Sequence, residues 1–393
     1  MRIALVSEWL DAWRGGAETS TLQVLAELLR AGVEVDVYTR SRPSPSPGLR
    51  VCHVNGAAAS RTRASVTFAR RADRLIAEGD YDVVHAVSPC FRADLYQPRG
   101  GTIAESIERN LAVLGGDSAR ALKRMGNALN FKRRRQLATE RRLLASGQGP
   151  VVIAISDYVA RQLQRHYHLP PDRIRRIFNA VEPDRADDQQ RRRDRADIRR
   201  QYRIRESELL VVLVAHNFRL KGVGPWMEAL AELTRRRTLP IRSLVIGKAP
   251  AERYRRRAGR LGIGSCLTFT GPTDRVRAFL HAADVLVHPT YYDPCSRVVL
   301  EAMTAGLPCV ASRWDGASEL IQDGVSGYVI EEIDPLAIAA RIADLMDRGR
   351  RERMSAEAAR VGGGISLTGH VRQLLACYDE VAASRRAGAA SRR

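Results

Sequence analysis

The sequence predicts an α/β protein of two parallel-sheet domains, and three observations carry that prediction. Short apolar runs alternate with amphipathic stretches from the first residues to beyond residue 330. The chain has 393 residues, 45% of them hydrophobic, more than one domain usually holds and enough for two cores. Between the alternating halves, the stretch 185–205, RADDQQRRRDRADIRRQYRIR, is almost wholly charged or polar. Such a segment reads as a linker followed by a solvated helix, with a domain boundary nearby.

The elements follow in order. MRIALVSEWL is a buried first strand, GGAETSTLQVLAELLRAG a glycine turn opening an amphipathic helix closed by Gly32, and VEVDVYTR a second strand. YDVVHAVSP and VVIAIS repeat the short apolar strand ending in a turn, and DYVARQLQRHY follows the latter as a helix. After the polar stretch, LLVVLVAH, IRSLVIG, LTFTG, DVLVHPT, PCVAS and GYVI are strands, with helices such as GPWMEALAELTRRR and SRVVLEAMTAG between them. Strand and helix alternating in this way build a mostly parallel sheet covered on both faces, so each half is Rossmann-like. Ligands of such sheets sit beyond the carboxyl ends of the strands. The first loop, the HNFRLKG loop and the YYDPCS loop all leave from that edge.

Composition limits the partners. The formal charge is +20, and all but four of the 64 basic residues are arginine, the exceptions being Lys123, Lys132, Lys221 and Lys248. A basic surface attracts polyanions generally. Aromatics are only 6% and do not interleave with the arginine runs, which argues against a nucleic-acid stacking platform. The six cysteines are scattered with no C-x-x-C pair, which indicates neither a zinc site nor a disulfide framework. The N-terminus turns polar at Ser7 and Glu8, too early for a signal-peptide core, and no apolar run approaches a membrane span. The expectation is a cytoplasmic protein that at most touches a membrane surface.

Three stretches can carry chemistry. Gly15 and Gly16 precede a helix, where missing side chains allow close approach of a ligand or serve a structural turn; Asp36 follows at about the ribose-binding spacing but without the dinucleotide fingerprint. In VAHNFRLKGV, Arg219 and Lys221 lie just past a strong strand, where two cations can hold a diphosphate or stand as ordinary solvated charges. In HPTYYDPCSRVVLEAMTAGLP, Asp293 sits on a loop, Ser296 is placed to cap the next helix, and the amides of Cys295, Ser296 and Arg297 face the strand edge as at phosphate-binding helix starts. Glu301 lies roughly 7.5 Å further along the helix axis at 1.5 Å per residue, so two acids could serve two parts of one ligand. Spacing alone favours plain surface charge. The D-x-D triplet Asp80–Asp82 precedes a strand rather than leaving its carboxyl end and is not read as a metal site.

Collinear segments decide between these readings. GGAET, RADLYQPRGG, HYHLPPDRIRRIFNAVEPDR, FRLKGV, LTFTGPTDRVRAFLHAADVLVHPTYYD and VVLEAMTAGLPCVASRWDGASELI together resemble the retaining family 4 glycosyltransferases of the GT-B fold, particularly the lipopolysaccharide core glucosyltransferases that act on heptose. The resemblance implies two Rossmann-like domains facing across a cleft. The first spans 1–184, acceptor-side, with a C-terminal helix at 366–388 crossing back to it; the second spans 206–365 and holds the nucleotide sugar. The family's acidic pair falls on Asp293, contacting donor sugar hydroxyls, and Glu301, contacting the ribose. Its phosphate-binding cations fall on Arg219 and Lys221. Gly16 would lie near the donor phosphates and Asp94 on the acceptor side. The implied catalytic set is Asp94, Arg219, Lys221 and Asp293, with Gly16, Cys295, Ser296, Arg297 and Glu301 adding to donor binding.

The implied reaction moves a hexose, glucose from UDP-glucose, to a sugar hydroxyl of a glycan or glycolipid acceptor with retention, needing neither metal nor cofactor. Three departures mark this chain: Asp293 where the family usually has glutamate, Ala215 and His216 where its arginine often stands, and Val87 where relatives carry a histidine. The basic segment 127–146 with Phe131, Leu137, Leu143 and Leu144 reads either as a helix on an anionic membrane surface or as a solvated cover of its domain. A sugar-nucleotide epimerase of the same architecture and a non-enzymatic polyanion binder are the alternatives.

Overall fold

The computed structural model describes residues 1–54, 64–114, 118, 121, 126, 130–145, 149–235, 240–248 and 250–390. The chain divides into two compact units, Met1–Ala180 with Leu367–Arg393, and Val181–Ser366.

The first unit is built on a seven-stranded sheet with the order β3-β2-β1-β4-β5-β6-β7. Its strands are β1 (Arg2–Val6), β2 (Glu34–Thr39), β3 (Leu49–His53), β4 (Val83–Ala86), β5 (Leu95–Tyr96), β6 (Val151–Ala154) and β7 (Ile174–Arg176). All neighbours pair in parallel. Ile3, Ala4 and Val6 of β1 and Val83 and Ala86 of β4 are wholly buried, as a strand covered by helices on both faces must be. The helix Gly16–Arg30 presents Val24, Leu25 and Leu28 to the core. The C-terminal helix Leu367–Ala390 belongs to this unit: Tyr378 shares a 2.7 Å hydrogen bond with His85 Nδ1, and Thr368 donates to Glu27 at 2.7 Å.

The second unit has a six-stranded parallel sheet in the order β10-β9-β8-β11-β12-β13. Its strands are β8 (Leu209–Val214), β9 (Ile241–Ile246), β10 (Leu267–Gly271), β11 (Val285–His288), β12 (Cys309–Ser312) and β13 (Gly327–Ile330). Val211, Leu213, Trp226, Met227, Val285 and Val287 lie in one continuous apolar core. Trp226 is fully buried and satisfies its indole N–H on Ser243 at 2.9 Å.

The stretch expected to be a linker followed by a solvated helix does hold a helix, Asp188–Gln201, but that helix is packed rather than solvated. Arg199, 2% exposed, pairs with Asp284 at 2.7 Å, and the buried His281 contacts Asp194 at 2.7 Å and Asp184 at 3.0 Å. Complementary charges let a helix with few apolar residues bury a face, because each desolvated charge keeps a partner.

Candidate functional site

In both sheets the strand order reverses beside the first strand, and loops leaving the two central strands must diverge there, opening a crevice at the carboxyl ends. In the second unit the reversal lies between β8 and β11. The loop after β8 carries Arg219 and Lys221; the loop after β11 carries Tyr291 to Ser296. The two loops are joined by backbone: Tyr291 N–H donates to the Leu220 carbonyl at 2.8 Å, and the Thr290 hydroxyl donates to the same oxygen at 3.2 Å. Gly222 makes that approach possible. Its φ is +69°, and a Cβ there would stand 1.9 Å from the Pro289 carbonyl oxygen.

Lys221 and Asp293 meet in this crevice. The ammonium donates to a carboxylate oxygen of Asp293 and, at 3.3 Å, to the Tyr292 carbonyl. Both side chains keep 18% of their surface, so the pair is set into the protein but open on one side. Burial pushes the Asp293 carboxyl up, but Lys221 and the neighbouring His288 outweigh it and hold the acid below the usual carboxylate range. The pair is therefore a fixed cation and anion side by side. Arg219, two residues before Lys221, is exposed.

The helix Arg297–Thr304 carries Glu301, whose carboxylate accepts from Arg297 at 2.9 Å. Burial raises Glu301, with Arg297 and Arg277 opposing it. Arg297 keeps a buried Nη1 for which the described residues supply no acceptor. Cys295 is buried. Ser296 is the N-cap residue, but its hydroxyl makes no capping bond. Its N–H is instead taken by Asp315 Oδ1 at 2.9 Å, so the Ser296 amide is not free to meet a phosphate. That cap comes from the loop after β12, which parallel pairing sets beside the loop after β11; Asp293 N–H donates to the Trp314 carbonyl at 2.9 Å and Gly316 N–H to the Asp293 carbonyl at 3.0 Å.

The first unit has its own crevice at the β1/β4 reversal. A cavity of about 420 Å³ is lined by Glu8, Trp9, Glu18, Tyr96, Arg99 and Thr102 among others. Beside it, and sharing Val66 and Thr139, lies a second cavity of about 470 Å³ with Arg70, Phe91, Arg135 and Arg142 in its wall. The Arg142 guanidinium stands 5.5 Å from the centre of the Phe91 ring.

Two family models match the chain. "Glycosyltransferase Family 4" covers residues 14–185 and "Glycosyl transferases group 1" covers 194–361, so that together they take in both crevices. The chain is a GT-B glycosyltransferase. The lipopolysaccharide glucosyltransferase WaaG of Escherichia coli (strain K12) is 30% identical over 204 residues, which is 52% of this chain and 54% of that one. The chain thus aligns with about half the length of that relative. A D-inositol 3-phosphate glycosyltransferase of Geodermatophilus obscurus is 28% identical over 414 aligned positions, covering 96% of this chain and 87% of its own. The crystal structure of WaaG superposes with a TM-score of 0.79 at 22% identity, covering 96% of this chain and 99% of that one, which shows a common fold.

Within the glycosyltransferase, the expected residues separate into groups. Lys221 and Asp293 are brought into contact, and Glu301 and Arg297 share the following helix. Gly16 is the exposed first residue of the helix after β1. Asp94 is a correction. It precedes β5 at the amino end of the sheet, where its carboxylate accepts from the Val84 N–H at 2.7 Å and from Arg385 of the C-terminal helix at 2.8 Å. Burial raises it, with those two donors opposing. Arg385 also donates to the carbonyls of Tyr81 and Asp82, just before β4, so Asp94 anchors the returning helix rather than lining the crevice.

His85 is a core histidine, 1% exposed, hydrogen-bonded to Tyr378 through Nδ1 while its buried Nε2 has no partner among the described residues, and held down to about 3 by burial. In the basic segment, residues 127–129 and 146 lie outside the described residues. The helix Phe131–Ala145 turns Leu143 and Leu144 into the core and leaves Phe131 62% exposed, so the two leucines are not available to a bilayer. Among the described residues no helix is long and apolar enough to cross a membrane.

Two further residues at the crevice of the second unit escaped the sequence reading, Gly222 and Asp315. The signal for Asp315 was a charged residue, followed by glycine, just past a short buried strand on the edge where ligands bind.

Proposed function

We propose that this glycosyltransferase moves a hexose, glucose from UDP-glucose, to a sugar hydroxyl of a glycolipid or lipopolysaccharide-core-type acceptor, with retention at the anomeric carbon. The observation that carries the reading is the Lys221–Asp293 pair, a cation and an acid locked together at the strand-order reversal, where a nucleotide sugar needs one group for its diphosphate and one for its sugar hydroxyls. Glu301, one helix turn beyond Arg297, takes the ribose hydroxyls. Lys221 and Arg219 stabilise charge on the departing diphosphate, so the reaction needs no metal. The bond from the anomeric carbon to the phosphate oxygen breaks, the bond to the acceptor oxygen forms on the same face, and the leaving phosphate takes the acceptor's proton. Glucose as the sugar agrees with the named activity of WaaG.

The acceptor reading rests on the first unit. Its crevice continues into the cavity walled by Arg70, Arg135 and Arg142, which suits a glycan carrying anionic groups. The exposed Phe131 and the arginines around it also suit transient contact with an anionic membrane surface, which supports an enzyme of the cytoplasm working at the inner face of the membrane.

The test is a panel of sugar nucleotides followed by calorimetry and by slow hydrolysis in the absence of acceptor. UDP-glucose should bind and release UDP; no response to any nucleotide sugar overturns the proposal. On the acceptor side, replacing both Arg135 and Arg142 by Glu should raise KM for an anionic core oligosaccharide about tenfold or more, two charge-assisted contacts being worth at least 1.4 kcal/mol together, while UDP-glucose hydrolysis stays unchanged.

A further inference from the structure

We propose that Asp315 is a positioning residue of the donor site, a buried carboxyl that clamps the helix start bearing Ser296 and, with His288, sets the charge of the Lys221–Asp293 pair. The inference rests on the donor-site reading above and goes beyond it to a residue that the acidic-pair pattern does not include.

Asp315 is 0% exposed. One oxygen, Oδ1, is doubly used, accepting Ser296 N–H at 2.9 Å and Ala317 N–H at 2.9 Å. It thereby ties the loop after β12 to the start of the Glu301 helix. The other oxygen, Oδ2, is buried with no hydrogen-bond partner among the described residues. It faces His288, which is 1% exposed and has neither ring nitrogen bonded among them. His288 Nε2 stands between two carboxyl groups, 3.6 Å from Asp293 Oδ2 and 3.8 Å from Asp315 Oδ2. Three buried polar atoms without partners in one place are unusual, because each forfeits its hydration.

Charge arithmetic explains why such a cluster sits at this crevice. The groups facing Asp315 are Lys221 from the loop after β8, His288 from β11, Asp293 from the next loop and the Cys309 thiol of β12. With Asp315 ionised, Lys221 would face two carboxylates and the cluster would be negative beside an incoming diphosphate. With Asp315 as the acid, Lys221 and Asp293 cancel and the amides around the helix start keep their positive field. Burial, then repulsion from Asp293, raises Asp315 above the ordinary carboxylate range, and burial lowers His288, so each is shifted toward its neutral form beside Asp293.

The sign follows. An acid whose proton favours donor binding supports affinity while it is protonated, and affinity declines as pH rises through its raised pKa. Asp315→Asn keeps an oxygen for Ser296 and Ala317 and cannot ionise, so it should bind UDP within about threefold of wild type at neutral pH and lose the alkaline decline. Asp315→Ala leaves two buried amides without an acceptor and should weaken UDP binding about tenfold or more. Calorimetry with UDP across pH measures both, and the protonated-carboxyl C=O stretch in the infrared difference spectrum, wild type minus Asp315→Asn, reads the acid directly without any turnover. Wild type that fails to bind UDP overturns the donor-site reading. Wild type that binds UDP, with Asp315→Ala and Asp315→Asn both matching its affinity and pH profile, overturns this one, as does a difference spectrum lacking the protonated band at neutral pH. Should Asp315→Ala fail to fold, the pH profile of Asp315→Asn and that band still decide.

Discussion

Lys221→Ala should lower turnover of UDP-glucose at least about a hundredfold, the loss seen when one preorganised donor to a developing negative charge is removed. Lys221 is suited to that task because its ammonium is already aimed: the Tyr292 carbonyl and the Asp293 carboxylate hold two of its donors, leaving the third for a phosphate oxygen. The substitution also leaves Asp293 in the crevice without its cation. Asp293 is held below its ordinary range in the wild type, so it contributes stability above that range, and the contribution is lost as pH falls through its folded-state pKa. The wild type should therefore be more stable than Lys221→Ala at neutral pH, and the two melting curves should converge in acid. Donor turnover with unchanged kcat, or a stability gap that does not vary with pH, would show that Lys221 is an ordinary surface charge. A paired Glu301→Ala separates the roles: loss of a ribose contact should raise the donor KM while its diphosphate chemistry continues, whereas Lys221→Ala should depress kcat.

The parts of this site legible in the sequence are those that lie on one segment. The apolar runs of β8 and β11 are unbroken because both sheet faces are covered, so their ends, and the loops beyond them, could be placed from the residues alone. Assigning both loops to one edge set Lys221 and Asp293 at one crevice, but their direct contact is seen only in the structure. Asp315 could be set on that edge in the same way, but not beside Asp293. It is far from Asp293 in sequence and becomes its neighbour only because β12 pairs with β11 in a register that lays one loop on the other. Ser296 misled for a related reason: the local pattern indicates a hydroxyl cap, but its hydroxyl takes no helix amide and its own N–H is held by a carboxyl from the loop after β12. Asp94 shows the converse limit. Its motif resembles an acceptor-side position, but its partner Arg385 arrives with a helix from the far end of the chain. Composition misled at 188–201, where arginine reads as solvent-facing although Arg199 is buried against Asp284.

Gly222→Ala should be a severely damaging single-methyl change in the second unit, and a second glycine supplies its control. Gly222 and Gly262 have nearly the same backbone, φ +69° and +72°, so an alanine at either pays the left-handed penalty of about 1 kcal/mol. Nothing lies within 4 Å of a Cβ at Gly262, so the penalty is all that substitution should cost. At Gly222 the added carbon would stand 1.9 Å from the Pro289 carbonyl oxygen and 2.9 Å from its carbon, and both are backbone that cannot rotate away. The loops must then separate, breaking the Tyr291-to-Leu220 and Thr290-to-Leu220 bonds and drawing Lys221 off Asp293. A cost of about 3 kcal/mol or more is expected from the clash and two lost bonds together. Urea unfolding of the two variants should thus differ by at least about 2 kcal/mol, and UDP affinity should fall for Gly222→Ala but hold for Gly262→Ala. Equal stability of the two would mean that the loops part without cost. Equal UDP affinity would mean that the Lys221–Asp293 contact does not depend on the close approach that only glycine permits.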